Sequence, residues 1–369
     1  MHVPATLVRG GTSKCWLFDE TELPNSTGDI EALLVNAYGA ADPVQLDGVG
    51  GATPTTSKAA VVRVSSVPGV HVDYLFAQVG IGVGRVEWGS NCGNCATAIA
   101  LWSVARGLVP VAGDRTRVVL RNTNTGAVLE AEVETPGGRV PEFGTATVPG
   151  TRAGGVAVGL TFLDPVGGTT GSLLPAGEVA EDWAIGGVRA RVSAIDAGAP
   201  MILVDAADLG CTGTESPREM GELVDLLRMF RHRAASSMGL TPTGAAAGDA
   251  VPKVGIVGPP RTYRTSLGDE VESADHDVSV RMLSMNVPHP AIGLTSAVGV
   301  AVANLLDGSV VHAASTAPGA GGLRIGTAAG VITVTSGEVA ASGPRRVTVR
   351  RAARILCVAD IVVPESISA

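Results

Sequence analysis

The chain has 369 residues, a formal net charge of -8, and 45% hydrophobic against only 3% aromatic residues, so any core for two ordinary domains is built mainly from small side chains. It has no basic run and no aromatic-plus-basic patch, which argues against nucleic acid as a partner but leaves local anion sites open. With no secretory leader, an odd count of five cysteines, and a longest uncharged run (282–306) interrupted by Asn286, Pro288 and Pro290, the sequence predicts a cytoplasmic protein without a membrane span.

Residues 3–8 (VPATLV) read as a strand, RGGTSK (9–14) as a turn and 15–18 as a second strand. A short helix over 29–38 closes at Gly39. After the turn DGVGGATPTTSK (47–58), Lys58 leads into a β-branched strand, and residues 70–79 alternate as another. The polar loop GSNCGNC (89–95) runs into a helix over 92–105 that is apolar nearly all round, which predicts burial, and Gly107 stops it. Strands follow at 117–121 and 127–134. The Gly- and Pro-rich stretch 135–187, with GGTTGSLLPAG at 167–177, shows little regular pattern; a junction near its end gives domains 1–187 and 188–369.

The second half opens on VSAIDAGAPMILVDAADL (192–209), which repeats the strand, small-residue turn, strand and acidic exit of LVRGGTSKCWLFDETEL (7–23). It also has its own all-apolar helix, 291–306, behind the polar stretch SMNVPHP (284–290). Two halves of similar design follow, each aiming a buried helix from a loop. Between them, Ser216-Pro217-Arg218-Glu219 is a capping box with proline at the first helical position. Met220, Leu223, Val224, Leu227 and Phe230 form the apolar stripe of that helix, and Arg228, Arg231, His232 and Arg233 near its end read as a solvated face.

Two polar loops carry the chemistry. A cysteine at the start of a helix, as Cys92 is, sits on unpaired N–H groups and the positive end of the helix dipole, which favours thiolate and makes a socket for a carboxylate. Lys58 follows three hydroxyl residues, and a lysine in a partly desolvated site can lose its proton near neutral pH and act as a base. His289, between two prolines ahead of the second apolar helix, reads equally as a structural histidine or a substrate contact. Cys92 and Cys95 form one CxxC, half of a zinc site, and the other three cysteines stand singly. GIGVG (80–84) continues as strand and so is no dinucleotide fingerprint, and GGATPTTSK lacks the glycine and hydroxyl that flank a P-loop lysine.

RGGTSK (9–14), QLDGVGGATPTTSK (45–58), SNCGNC (90–95) and KVGIVGPP (253–260) together resemble the PrpF-type methylaconitate isomerases, a branch of the diaminopimelate-epimerase-like fold. The resemblance spans both halves. It implies an α/β (α+β) protein of two pseudo-symmetric domains, each a curled sheet around a central buried helix, with the active site where both helices point. It implies a cofactor-independent isomerase or tautomerase that needs no metal and moves an allylic proton on an unsaturated di- or tricarboxylic acid. Lys58 matches the family's base and Cys92 its active-site cysteine, as a second acid/base or a wall of the carboxylate socket. Arg9, Gly11, Thr12, Ser13, Gly51, Ser57, Asn91, Gly93, Asn94, Met285 and His289 are the expected substrate contacts. The sequence departs from the family at Cys15, where glycine is usual. A two-thiol racemase would need a second cysteine before the 291–306 helix, where Pro288, His289 and Pro290 stand. A non-catalytic carboxylate-binding or accessory protein is the rival from another class, and a homodimer is compatible with the sequence.

Overall fold

The computed structural model describes residues 1–88, 92–242, 248–340 and 343–363, the side chains of 338–340 excepted. The chain divides into two compact units, one of Met1–Leu160 with Arg350–Ala369, the other of Thr161–Val349. The first comprises β1 (His2–Gly10), β2 (Ser13–Asp19), α1 (Thr27–Tyr38), β3 (Lys58–Val64), β4 (Val72–Val79), β5 (Val86–Glu87), α2 (Gly93–Ala105), β6 (Arg115–Asn122) and β7 (Val128–Glu134). Strand β8 (Val156–Leu163) leads into the second unit. There follow β9 (Glu181–Ile185), β10 (Val188–Ala197), β11 (Ala199–Asp205), α3 (Pro217–Glu222), α4 (Val224–Ser237), β12 (Lys253–Gly258), β13 (Tyr263–Arg264) and β14 (Glu270–Val271). The series ends with β15 (Val278–Ser284), β16 (Val287–Pro288), α5 (Leu294–Leu305), α6 (Val310–Ala314), β17 (Gly322–Thr327), β18 (Gly330–Ala340) and β19 (Gly343–Val362).

The two units repeat one ladder. In the first, β1–β2 is antiparallel, β2–β3 parallel, β3–β4 antiparallel, β4–β6 parallel and β6–β7 antiparallel. In the second, β10–β11, β11–β12, β12–β15, β15–β17 and β17–β18 follow with the same senses in the same order. Helix α2 lies between β5 and β6, as α5 lies between β16 and β17. By this correspondence Lys58, first residue of β3, and Lys253, first residue of β12, occupy equivalent places.

Each central helix is buried because it offers no charged side chain to solvent. Every residue from Cys95 to Val104 of α2 is buried, as is every residue from Ser296 to Asn304 of α5. Full burial of Ile99, Leu101 and Val104 stabilises by about 1.5–3 kcal/mol each. Small residues let the strands come close: a Cβ on Gly10 would overlap the carbonyl oxygen of Asn94 on α2. Among the described residues no helix is long and apolar enough to cross a membrane.

Four expectations change. The 187/188 boundary would cut the β9–β10 hairpin, whose pairing Val188↔Ile185 binds those residues into one unit. The stretch 135–187 contains β8 and β9, which the density of glycine concealed. The capping box opens α3 as expected, with both of its hydrogen bonds, but the helix breaks at Leu223 just after Gly221, a weak helix former. Arg231 on α4 is buried rather than solvated, because its guanidinium donates to the carbonyl of Met285 (2.6 Å) and to Asn286 Oδ1 (3.1 Å).

Candidate active site

Lys58 is placed by a loop that Gln45 holds shut. Gln45 donates to the carbonyl of Gly80 (3.0 Å), and its Oε1 accepts from the Ala52 N–H (2.8 Å) and the Ser57 hydroxyl (2.6 Å). The Tyr38 hydroxyl fixes the backbone by donating to the Lys58 carbonyl (2.5 Å). Across the ladder from Lys58 stands Gln78, which accepts from Nζ at 2.5 Å and donates to the Ser57 carbonyl at 2.9 Å. The ammonium also lies 5.1 Å from the centroid of the Phe76 ring. Lys58 is thus a buried residue, 9% exposed, and not the surface lysine of the common case.

The other wall is the start of α2. Cys92 is the N-cap and makes no side-chain capping bond, so Gly93 and Asn94 open the helix on a half-buried surface. Asn94 ties this end to the β1–β2 turn: its Nδ2 donates to the hydroxyls of Thr12 and Ser13 (3.2 Å each). Its Oδ1 accepts from Arg351 Nη2 at 2.6 Å. Gly11 has φ +55°, and a Cβ there would overlap both Arg351 and Asn94, so the turn fits because that position carries no side chain. Arg9 donates to the carbonyls of Gly11 (3.1 Å) and Gly154 (2.9 Å).

Arg351 is the residue that sequence reasoning missed. It is buried, its Nε has no partner, and it forms no ion pair among the described residues. Burial, offset in part by the nearby Cys92 and reinforced by Arg9, pulls it down to about 10. Arginines in a β-rich C-terminal strand carry no local mark of function; only the return of β19 alongside β1 brings Arg351 to Asn94.

The thiols also group differently from their spacing. Cys15, which stands singly in the sequence, joins Cys95 and Cys92 in interacting with Lys58, and all three are free. The interaction with the Cys95 side chain, then burial, holds the Cys92 thiol well above its ordinary range. The expected thiolate preference at the helix start is therefore overturned: neighbouring sulfur and burial outweigh the dipole. Burial opposes the Lys58 charge, but the pull of Cys92, then Cys95 and Cys15, raises the ammonium above its ordinary range. That pull exists only while a thiolate is present, so lysine and thiol titrate as a pair. Alkylation should accordingly reach exposed Cys357 at neutral pH while Cys92 reacts only under alkaline conditions; peptide mapping after iodoacetamide treatment across pH checks this.

The structure thus brings Lys58, Cys92, Gly93, Asn94, Arg9, Gly11, Thr12 and Ser13 into one unit and links most of them directly. Ser57 is fully buried and spends its hydroxyl on Gln45, and Gly51 packs on Thr56, so both shape the loop. Asn91 lies outside the described residues. Met285 and His289 belong to the second unit, Met285 exposed at φ +53°.

His289 Nδ1 accepts from the Ala291 N–H (2.9 Å), and the His289 backbone N–H donates to the Met282 carbonyl (2.9 Å). Burial, then Lys253, lowers its imidazole to about 4. The folded state keeps it neutral where the unfolded chain, near 6.5, takes up a proton, so stability falls as pH drops from 6.5 towards 4, by up to about 3 kcal/mol. Denaturant titrations at pH 7 and pH 4.5 should show this slope in the native chain and a shallower one in His289→Asn.

The fold with these sites is of the diaminopimelate-epimerase-like class. The solved structure of a methylitaconate Δ-isomerase superposes with a TM-score of 0.89 at 29% identity, covering 100% of this chain and 99% of that one. The model of the PrpF protein family matches residues 1–364, and the chain belongs to that family. A 2-methyl-aconitate isomerase of Shewanella oneidensis is 33% identical, over 99% of this chain and 98% of its own length. A (4E)-oxalomesaconate Δ-isomerase of a Novosphingobium species is 36% identical, over 85% and 84%. The chain is an isomerase.

Proposed function

We propose that the chain shifts an allylic proton on an unsaturated di- or tricarboxylate of the aconitate or methylaconitate kind, with Lys58 as base. The observation that carries this reading is a buried Nζ interacting with the Cys92 thiol beside the open start of α2. The related isomerases of methylaconitate, oxalomesaconate and methylitaconate support the acid class.

In the uncharged form of the pair, which burial favours over two separated charges, Nζ is a free amine and Sγ holds a proton. Nζ takes a proton from the carbon next to the double bond, and the C–H electrons move into a conjugated dienolate. Negative charge then accumulates on a carboxylate oxygen, where the N–H groups opening α2 and the Thr12 and Ser13 hydroxyls stabilise it. Arg351 is the counter-charge at this socket. Rotation about the former double bond and return of the proton to the same carbon give a geometric isomer. Return to the other end of the conjugated system shifts the double bond. Cys92 serves as the second acid or as a wall of the socket, and no electrons are gained or lost.

Proton NMR in D2O with aconitate, 2-methylaconitate, itaconate-type and oxalomesaconate acids tests this. Deuterium is expected at an allylic carbon of at least one acid. If every acid came back unlabelled, the proposed reaction would fail.

A further inference from the structure

The hydroxyls of Thr12 and Ser13 help a carboxylate only as donors, because a carboxylate oxygen has no hydrogen to give. A hydroxyl rotates, so a protein acceptor placed beside it takes its proton away from any ligand. Here both hydroxyls lie 3.2 Å from one atom, Asn94 Nδ2, which only donates. Each hydroxyl oxygen therefore accepts from Asn94 and its own proton is left over. Among the described residues neither hydroxyl donates to a protein atom, although Thr12 is half-buried and Ser13 buried.

An amide has two orientations. Turned over, Asn94 would show its oxygen to the two hydroxyls, and both protons would be taken up inside the protein. Arg351 excludes that orientation. A guanidinium carries only donors, and Nη2 donates to Asn94 Oδ1 at 2.6 Å, so the turned amide would set donor against donor. The pair cannot drift apart: Arg351 is 6% exposed, Asn94 lies in the first turn of α2, and Gly11 leaves no room for a Cβ against either. Ala352, the next residue of β19, accepts from the Gly11 N–H (2.8 Å) and so holds the strand to the same turn. Among the described residues the Arg351 side chain makes no other hydrogen bond and no ion pair, and its Nε is unpartnered. Burying a cation against one neutral oxygen is costly, and a neutral hydroxyl or amide would tie Asn94 down for less. Those groups also accept, however, and would hold either orientation; a donor-only group holds one.

We propose that Arg351 is a positioning residue: through Asn94 it sets the direction of the hydrogen bonds at the β1–β2 turn, so that Thr12 and Ser13 both present their protons to the substrate. The inference rests on the polycarboxylate reading above. The role is carried by the bond to Asn94 and is separate from the charge that Arg351 brings to the socket.

The test is a double-mutant cycle on the full chain. Its readouts are kcat/KM for deuterium exchange, with the acid the native chain labels fastest, and calorimetric affinity for tricarballylate, a saturated tricarboxylate with no allylic proton. Arg351→Met frees the amide to turn and is expected to lower kcat/KM about 10–100-fold, the scale of a hydrogen bond to a charged group. Arg351→Lys keeps a donor-only group and should restore most of it. Thr12→Val with Ser13→Ala removes what Asn94 directs. Adding Arg351→Met to that pair should give a loss at least about fivefold short of the product of the separate losses, in rate and in affinity. The charge of Arg351 is lost in both arms and cancels. Losses that simply multiply overturn the proposal. If Arg351→Met fails to fold by circular dichroism, Asn94→Asp decides. It keeps the bond to Arg351 but offers the hydroxyls only acceptors, so native-like melting with at least about tenfold slower exchange is expected, and undiminished exchange overturns the proposal. If exchange occurs and the cycle shows no coupling, the reaction stands and the positioning role falls. If no acid in the NMR panel exchanges, the reaction falls, and coupling in tricarballylate affinity keeps the role. A native chain that neither exchanges nor binds overturns both.

Discussion

Replacing Lys58 by alanine should lower the rate of allylic deuterium exchange by about 10³-fold or more, the scale on which a positioned general base acts. The variant should still bind the acid, because the start of α2 with Asn94 and Arg351 does not depend on the amine. Its melting temperature should fall only modestly: the variant loses the Nζ–Gln78 hydrogen bond and the contact with the Phe76 ring, while the loop around it is still held by Gln45 and Tyr38. Lys58→Arg should not rescue exchange, since a guanidinium has no accessible neutral form near pH 7. Exchange by NMR, binding by calorimetry and melting by circular dichroism separate these outcomes. Retention of most of the exchange in Lys58→Ala would remove the lysine from the chemistry.

The second large effect is expected at Gly10, which bears no chemical group. A Cβ there overlaps the Asn94 carbonyl oxygen and stands 2.8 Å from the Ala98 nitrogen and 3.0 Å from its Cβ. All three belong to α2 and cannot swing aside as a flexible side chain could. Gly10→Ala must therefore push the first turn of α2 from β1, at a cost of roughly 3 kcal/mol as for a strongly overpacked core. The same displacement moves Cys92 and Asn94 from the turn at Thr12 and Ser13, and a shift near 1 Å can cost about 10²-fold in rate. Gly28→Ala is the matched control: it lies in the first turn of α1, where Ser26 Oγ at 4.0 Å is the nearest atom. Alanine there should leave exchange intact and raise stability by about 0.5–1 kcal/mol. Equal melting temperatures for Gly10→Ala and the native chain would show that the helix can yield.

Local patterns in the chain already determined much of this molecule. Apolar runs without charge specify α2 and α5, since such segments have no solvated face to offer. The Ser216 capping box, the left-handed Gly39 at the end of α1 and Lys58 at the head of β3 are likewise local facts, set by side chains within a few residues. The repeat between residues 7–23 and 192–209 was visible because strand, turn and acidic exit recur in one order, and the matching ladders extend it across both units.

What the sequence withheld depends on residues far apart in the chain. Arg351 reaches Asn94 across 257 positions, Gln78 meets Lys58 through strand register, and Cys15 joins Cys92 and Cys95 through the packing of β2 under α2. Arg231 looked like a solvated helix end because helix periodicity says nothing about which turn packs over it; Met285 and Asn286 cover it. Protonation followed the same division. The helix start alone favours a thiolate at Cys92, but a second thiol and burial reverse that preference. Type and order of elements were local and therefore readable, whereas the partners, charge and burial of the site groups arise from contacts that exist only once distant strands have paired.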